Sequence, residues 1–214
     1  MGENGSGKTT VIKLLCRLYD PTSGVITVDG VDLREFDLTA WRREIGVILQ
    51  DYAHYNLTAQ DNIWFGNVHV PPEREQITGV AQYSGADEVI ARLKNGYDTV
   101  LGKMFQEGEE LSIGEWQKVA LARAFLRDAQ VIILDEPTSA MDARAEYEIF
   151  TKLRDLTTDR ATITISHRFS TVRMADCIYV LDEGRIIERG SHDDLMRQNG
   201  KYAFLFETQA RHYK

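Results

Sequence analysis

Cysteine is scarce: the chain holds two, Cys16 and Cys177, far apart and with no Cys-x-x-Cys. The five histidines are scattered. A disulfide framework and a structural zinc site both lack material. Both cysteines sit in apolar-periodic stretches, so buried, reduced thiols are expected, which suits a cytosolic compartment. No run of eighteen or more apolar residues occurs, so no membrane-spanning helix is expected. No signal peptide, internal repeat or low-complexity segment is visible. Positive charge is the minority sign, with 25 Lys and Arg against 33 Asp and Glu and a net charge of −8. That balance argues against a dominant non-specific nucleic-acid surface and leaves a local basic patch open; no nucleic-acid partner is expected.

What is present is enough for one ordinary globular domain with room for two lobes: 214 residues, 43% of them hydrophobic. The segment Gly2-Glu3-Asn4-Gly5-Ser6-Gly7-Lys8-Thr9 fits G-x-x-x-x-G-K-[ST], the phosphate-binding loop. Glycines let the backbone curl until successive N–H groups face one anion. The helix that follows adds its positive end. Lys8 can reach β- and γ-phosphates, and the Thr9 hydroxyl can hold Mg²⁺. Such a loop normally springs from a buried strand, yet the chain starts one residue before the first glycine. Either the chain is a fragment of a longer protein, or another segment supplies the support.

Downstream, residues 8–19 read as a helix with Val11, Leu14, Leu15 and Leu18 on one face. Asp20-Pro21-Thr22-Ser23-Gly24 breaks it. Val25 to Val31 around Asp29-Gly30 is a hairpin signal. Residues 39–44 suggest a helical turn, and Ile45-Gly46-Val47-Ile48-Leu49 a strand buried on both faces, ending at Gln50. Helical patterns then dominate to about residue 127, at 59–65, 72–83, 86–94 and 113–127. Val131-Ile132-Ile133-Leu134 is a buried strand ending in Asp135-Glu136. A helix at 142–157 precedes a strand at 161–165, which ends at Ser166-His167. A hairpin spans 177–188 around Asp182-Glu183-Gly184, and helices at 191–198 and 201–210 close the chain. The expected organisation is one domain of 214 residues. Segments 1–51 and 128–190 form an α/β core, 52–127 an inserted helical subdomain and 191–214 C-terminal helices. Alternating strands and helices imply a mainly parallel sheet, with ligands at the carboxyl ends of its strands. Gln50, Asp135, Glu136 and His167 fall there.

Asp135-Glu136 after four apolar residues reads as a Walker B element. Asp135 can organise Mg²⁺, and Glu136 can orient and deprotonate an attacking water. The bland alternative is a strand cap before Pro137. Leu111-Ser112-Ile113-Gly114-Glu115 opens a helix and resembles the Leu-Ser-Gly-Gly-Gln signature of ABC transporter nucleotide-binding domains. The run from Gln117 to Ala124 resembles their signature helix. Gln50 is similar to the Q-loop glutamine, Ser139-Ala140-Met141-Asp142 to the D-loop and His167 to the switch histidine. Motif order and spacing agree from residue 2 to about 210. The resemblance implies an α/β P-loop NTPase (RecA-like) core with a mainly parallel sheet, an inserted helical subdomain and short antiparallel hairpins, the first strands missing. Two departures stand out: Ile113 replaces a glycine and Glu115 the glutamine. Ser112 and Glu115 also form a capping box, Ser-x-x-Glu, and both readings can hold together.

The resemblance leans to exporters, through Gln50-Asp51, Asp61-Asn62-Ile63, Phe65-Gly66, Gln106-Glu107-Gly108-Glu109-Glu110, the 190–195 segment and Tyr202. It implies ATP hydrolysis with Mg²⁺ by a head-to-tail pair of such domains, a homodimer or a heterodimer, at the cytoplasmic face of a membrane. A transmembrane domain would lie upstream in the same chain. It assigns Gly2, Asn4, Gly5, Ser6, Gly7 and Lys8 to the phosphates, Thr10 to the α-phosphate side, and Thr9, Gln50 and Asp135 to Mg²⁺. It makes Glu136 the general base and has His167 contact the γ-phosphate. Ser112, Gly114 and Asp142 would act across the pair. Rival readings are a soluble ABC ATPase acting on ribosomes or DNA, and a fragment inactive in isolation. Four histidines, 54, 69, 192 and 212, are expected at the solvated surface, and Trp41, Trp64 and Trp116 in packing. Glu107, Glu109 and Glu110 are either a coupling loop or solvated charge. Arg123 and Arg127 are expected to decorate a helix.

Overall fold

A computed structural model describes residues 1–3, 5–104, 108–156 and 159–212. Contacts divide the chain into two units, one of Met1–Arg42 with Thr164–Lys214 and the other Arg43–Ile163.

The first unit begins with the glycine-rich loop and helix α1 (Lys8–Leu15). The helix is four residues shorter than its pattern predicts, because Arg17 turns left-handed at φ 49°. Arg17 N–H then bonds Leu14 O and Leu18 N–H bonds Lys13 O, a paired closure of the helix end. Nor is the buried face the expected one. Lys8, Ile12 and Cys16 point inward at four-residue spacing, whereas Val11 and Leu18 are exposed. On that face Lys8 reaches back to the loop, its Nζ donating to Gly2 O and Glu3 O. Strands β1 (Thr27–Val28) and β2 (Val31–Asp32) pair antiparallel across Asp29-Gly30. Both turn residues have positive φ, the two-residue turn that matches strand twist. Helix α2 (Leu38–Arg43) follows, and its Trp41 indole donates to Leu15 O at the end of α1.

The unit's remaining residues contribute a short helix, α8 in the numbering below (Phe169–Val172), and a hairpin, β6 (Ile178–Asp182) with β7 (Arg185–Gly190). Helices α9 (His192–Gln198) and α10 (Lys201–His212) follow. Val172, Ile178, Val180, Leu195 and Tyr202 form their core, with Met1 packed against it. Cys177 is exposed, contrary to expectation. Ile178 is the first inward residue of β6, and strand alternation puts Cys177 on the outward face with Tyr179. His192 also departs from expectation: it is half-buried, 2.8 Å from the Tyr202 hydroxyl.

The second unit is built on the parallel pair β3 (Ile45–Ile48) and β4 (Val131–Asp135), registered from Ile45 opposite Val131 to Ile48 opposite Leu134. Strand β5 (Ala161–Ile165), which runs past the unit's last residue, is third in the order β3-β4-β5. Between β3 and β4 lie α3 (Ala59–Trp64), α4 (Arg74–Ser84), α5 (Ala86–Ile90) and α6 (Ile113–Phe125). Their shared core centres on Ile63, Ile77, Ile90, Leu101, Trp116 and Val119. Trp64 packs against this core. Helix α7 (Ala143–Leu156) joins β4 to β5.

Candidate functional site

The loop before α1 is shaped by what it cannot accommodate. Gly2 lies at φ 154°, and a Cβ there would sit 2.2 Å from Leu181 O. Gly7 takes φ 101° as it leads into α1. The loop lies along β6: Met1 N donates to Tyr179 O at 2.7 Å and Leu181 N–H to Met1 O at 2.8 Å. Gly184, in the turn between β6 and β7, donates to Ser6 O at 3.1 Å. The hairpin thus supplies backing for the loop. Lys8 Nζ donates to Gly2 O and Glu3 O, each at 2.8 Å. Ser6 is 4% exposed, and its hydroxyl has no hydrogen-bond partner among the described residues. Among the described residues no side chain caps α1, and no acidic residue stands in its first turn. Thr9 and Thr10 are exposed at that helix start. A buried orphan hydroxyl, a lysine held on backbone oxygens and an uncapped helix N-terminus suit an anion. Asn4 lies outside the described residues.

In the same unit His167 is half-buried after β5, and its carbonyl accepts from the Gln209 side chain of α10 at 3.3 Å.

The second unit gathers the other predicted residues. Because β3 and β4 run parallel in that register, Gln50 and Glu136 each lie two residues beyond the Ile48–Leu134 pair, at one sheet edge. Gln50 is exposed, and Asp135 is 4% exposed at the end of β4. Glu136 holds φ 50°, a left-handed conformation that costs a side-chain-bearing residue. The buried pair Thr138 Oγ1 and Glu146 Oε1, 2.7 Å apart, ties the following turn to α7. Asp142 is exposed and caps α7, its carboxylate accepting from Arg144 and Ala145 N–H at 2.9 Å. The bond from Ala145 is the main cause holding its pKa below the ordinary value.

At the start of α6, Ser112 and Glu115 form the expected capping box. Glu115 Oε2 accepts from Ser112 N–H at 2.9 Å and from its hydroxyl at 2.8 Å, while Oε1 meets Arg92 at 3.0 Å. The Ser112 backbone bond is the leading cause that lowers the Glu115 pKa. Ile113 is 69% exposed, and a Cβ on Gly114 would lie 3.2 Å from Ala140 O. The first turn of α6 therefore abuts the Ser139–Asp142 segment.

Sequence reasoning missed two residues. Gln117, 1% exposed, donates to Glu136 O and Ser139 Oγ at 3.3 Å, and its own oxygen accepts from Ala140 N–H at 3.2 Å. It ties the signature helix to the backbone of the candidate base. Arg123 is no decoration: it reaches Asn62 O at 2.8 Å, Asn62 Oδ1 at 3.0 Å and Ala53 O at 3.0 Å. Its guanidinium also stacks 4.6 Å over Tyr55. It thereby holds the segment after Gln50 to α6. Arg127 likewise bonds Arg43 O. The sequence showed the first only as a polar residue two positions past the signature; its burial emerges from the fold.

His54 is exposed, as expected, and its ring stacks on that of buried Trp116 at 4.3 Å; partial desolvation there lowers its pKa. Glu109 and Glu110 accept from Lys94 N–H and the Trp116 indole. Gln106 and Glu107 lie outside the described residues. Among the described residues no His, Cys, Asp and Glu cluster forms a metal site, and no helix is long and apolar enough to cross a membrane.

Comparison with known proteins adds an independent line. A family model described as ABC transporter matches residues 1–139. An ATP-dependent lipid A-core flippase of Legionella pneumophila (strain Paris) is 42% identical over 209 residues, covering 98% of this chain and 35% of the flippase. ABC transporter B family member 28 of Arabidopsis thaliana is 42% identical over 211 residues, covering 98% of this chain and 29% of that protein. A solved bacterial Atm1-family ABC exporter with ATP bound superposes with a TM-score of 0.90 at 40% identity, over 98% of this chain and 36% of that one. The chain spans about a third of the length of these relatives.

Proposed function

The chain belongs to the ABC transporter family, and from that premise we propose that it binds and hydrolyses ATP for an exporter. The observation that carries this reading is the glycine loop, with the buried Ser6 hydroxyl, unpartnered among the described residues, and Lys8 folded on Gly2 and Glu3 oxygens. Phosphate oxygens would take over Lys8 from those carbonyls and accept from the Ser6 hydroxyl and the N–H groups that open α1. Gly2, Gly5 and Gly7 let the backbone approach, Thr10 is assigned to the α-phosphate side, and Asn4 is assigned to the phosphates from the sequence motif alone.

Thr9, Gln50 and Asp135 are assigned as the oxygen donors that would hold Mg²⁺, which when bound would neutralise phosphate charge. Glu136 is assigned as general base, taking a proton from the attacking water, with Gln50 orienting that water at the same sheet edge. His167 is assigned to the γ-phosphate. Ser112, Gly114 and Asp142 would act on the nucleotide of a second such domain, paired head to tail. Closure of the pair on ATP and reopening after hydrolysis would then drive a transmembrane partner, probed here by the Arg123-braced segment after Gln50. The working place would be the cytoplasmic face of a membrane.

Replacing Glu136 with Gln should leave ATP affinity within about twofold and abolish nearly all turnover, while Lys8→Ala should weaken binding itself. Near-normal hydrolysis by Glu136→Gln removes Glu136 from the base role. Unchanged binding by Lys8→Ala removes the loop from the phosphate role.

A further inference from the structure

Glu3 is the one acidic residue in the phosphate loop, and its backbone is a hub. Its carbonyl accepts both Ser6 N–H at 3.2 Å and Lys8 Nζ at 2.8 Å. Its carboxylate brings negative charge to a loop that must receive an anion. That carboxylate does not stand alone, because Lys201 Nζ lies 3.4 Å from Glu3 Oε1 and 2.8 Å from Asp182 Oδ1.

Lys201 is no free surface lysine. It is the first residue of α10, and Glu188 of β7 accepts from the backbone N–H groups of both Lys201 and Tyr202. A carboxylate at a helix N-terminus is well placed electrostatically, so the start of α10 is fixed against the hairpin. Asp182 closes β6 at the turn whose Gly184 donates to Ser6 O. The ammonium is therefore anchored to the surface that backs the loop, with Asp182 the tight partner and Glu3 the second arm. Asp182, before Glu3, holds the Lys201 pKa above its ordinary value.

We propose that Lys201 is a positioning residue for the nucleotide: by holding the Glu3 carboxylate it keeps that charge away from incoming phosphates and steadies the loop residue that parks Lys8. The proposal deepens the nucleotide reading above and rests on it. An exposed ion pair of this length adds little to folding stability, so its effect is read in nucleotide affinity.

The test is a double-mutant cycle on the full chain, with MgATP titrated into the unaltered protein, Lys201→Met, Glu3→Gln and the double variant, at low and high ionic strength. Lys201→Met should bind about two- to fivefold more weakly at low salt, the range of one exposed charge pair. The loss should shrink at high salt, where exposed charges are screened. Glu3→Gln should bind at least as tightly as the unaltered chain, the double variant should match Glu3→Gln, and Lys201→Arg should restore affinity. An unchanged affinity in Lys201→Met overturns the proposal. A loss that persists in the Glu3→Gln background also overturns it, leaving Lys201 with a structural role only. If the unaltered chain binds MgATP no better than Lys8→Ala, the nucleotide reading falls and the proposal with it. Binding without coupling sinks the proposal alone.

Discussion

Gln117→Met should separate turnover from stability. Methionine matches the length and volume of glutamine, so the buried site stays filled. It removes two donated bonds at 3.3 Å and one accepted bond at 3.2 Å. These are long contacts. Ser139 and Ala140 are exposed enough to turn to water, and Glu136 O still accepts from Ser139 N–H at 3.3 Å. The stability loss should therefore stay near ~1 kcal/mol, the net worth of an ordinary hydrogen bond. The effect on chemistry should be larger. Glu136 sits at φ 50°, which costs about 1–2 kcal/mol for a residue with a Cβ. Gln117 is among the contacts that hold the backbone there. Once released, the segment can relax by that amount, and the productive arrangement becomes a minor population. With a factor of ten for each ~1.4 kcal/mol, turnover should fall about 5- to 30-fold. MgATP affinity should hold, because the bonds of Gln117 run to Glu136, Ser139 and Ala140, which are not assigned to binding the phosphates. Steady-state ATP hydrolysis, ATP titration and urea unfolding of the same variant decide the matter. Turnover within twofold of the unaltered chain would refute the claim that this glutamine holds the base in place.

Arg123→Lys keeps the charge but loses the fork, stranding the fully buried Asn62 Oδ1. A cost of about 2–3 kcal/mol follows, lowering the melting temperature by roughly 5–10 °C in a calorimetric scan. Glu115→Gln frees the Ser112 hydroxyl from a carboxylate and removes a negative charge from the signature, so ATP turnover should rise about two- to fivefold. Combined with Ile113→Gly the gain should be at least as large; no change in rate or affinity for the pair would refute a weakened signature. The carboxylates of Glu115, Asp142 and Asp194 all have lowered pKa values, led by the Ser112 backbone bond, the Ala145 backbone bond and the Ser191 hydroxyl respectively. Each folded value lies below the unfolded one. Their stabilisation is thus complete above the ordinary carboxylate range near ~4 and is lost as the pH falls through the lower folded values. Unfolding free energy measured across that window should drop, and Glu115→Gln should flatten the slope.

Much of this architecture was legible because its signals are local. The Asp29-Gly30 and Glu183-Gly184 turns, the Ser112–Glu115 box and the apolar runs of β3 and β4 each carry their geometry within a few residues. The Gln50–Glu136 edge needed only the inference that two buried strands run parallel. What escaped depends on distance or rotation. Arg123 bonds residues 61 and 70 positions away, a relation no periodicity reveals. The buried face of α1 includes Lys8, bonded to its own loop, and a charged residue on the inward face is invisible to an apolar-stripe pattern that picks out Val11 and Leu18. Cys177 sits one step before the inward residue of its strand, and a period-two pattern shifted by one residue inverts the reading. Lys201 lies nearly two hundred residues from Glu3 in sequence, although the two side chains meet.

Gly66 follows α3 in a space with no vacancy: a methyl there would fall 1.8 Å from Arg123 O. Neighbouring Asn62 is grasped by the side chain of that same arginine. One helix end is thus seated on a carbonyl and hooked by a guanidinium of a single residue, which leaves no slack for sliding. A displacement of the stretch around Tyr55 would then be passed to the signature helix through Arg123. Alanine at 66 would pry that joint open while leaving every nucleotide-facing group chemically intact.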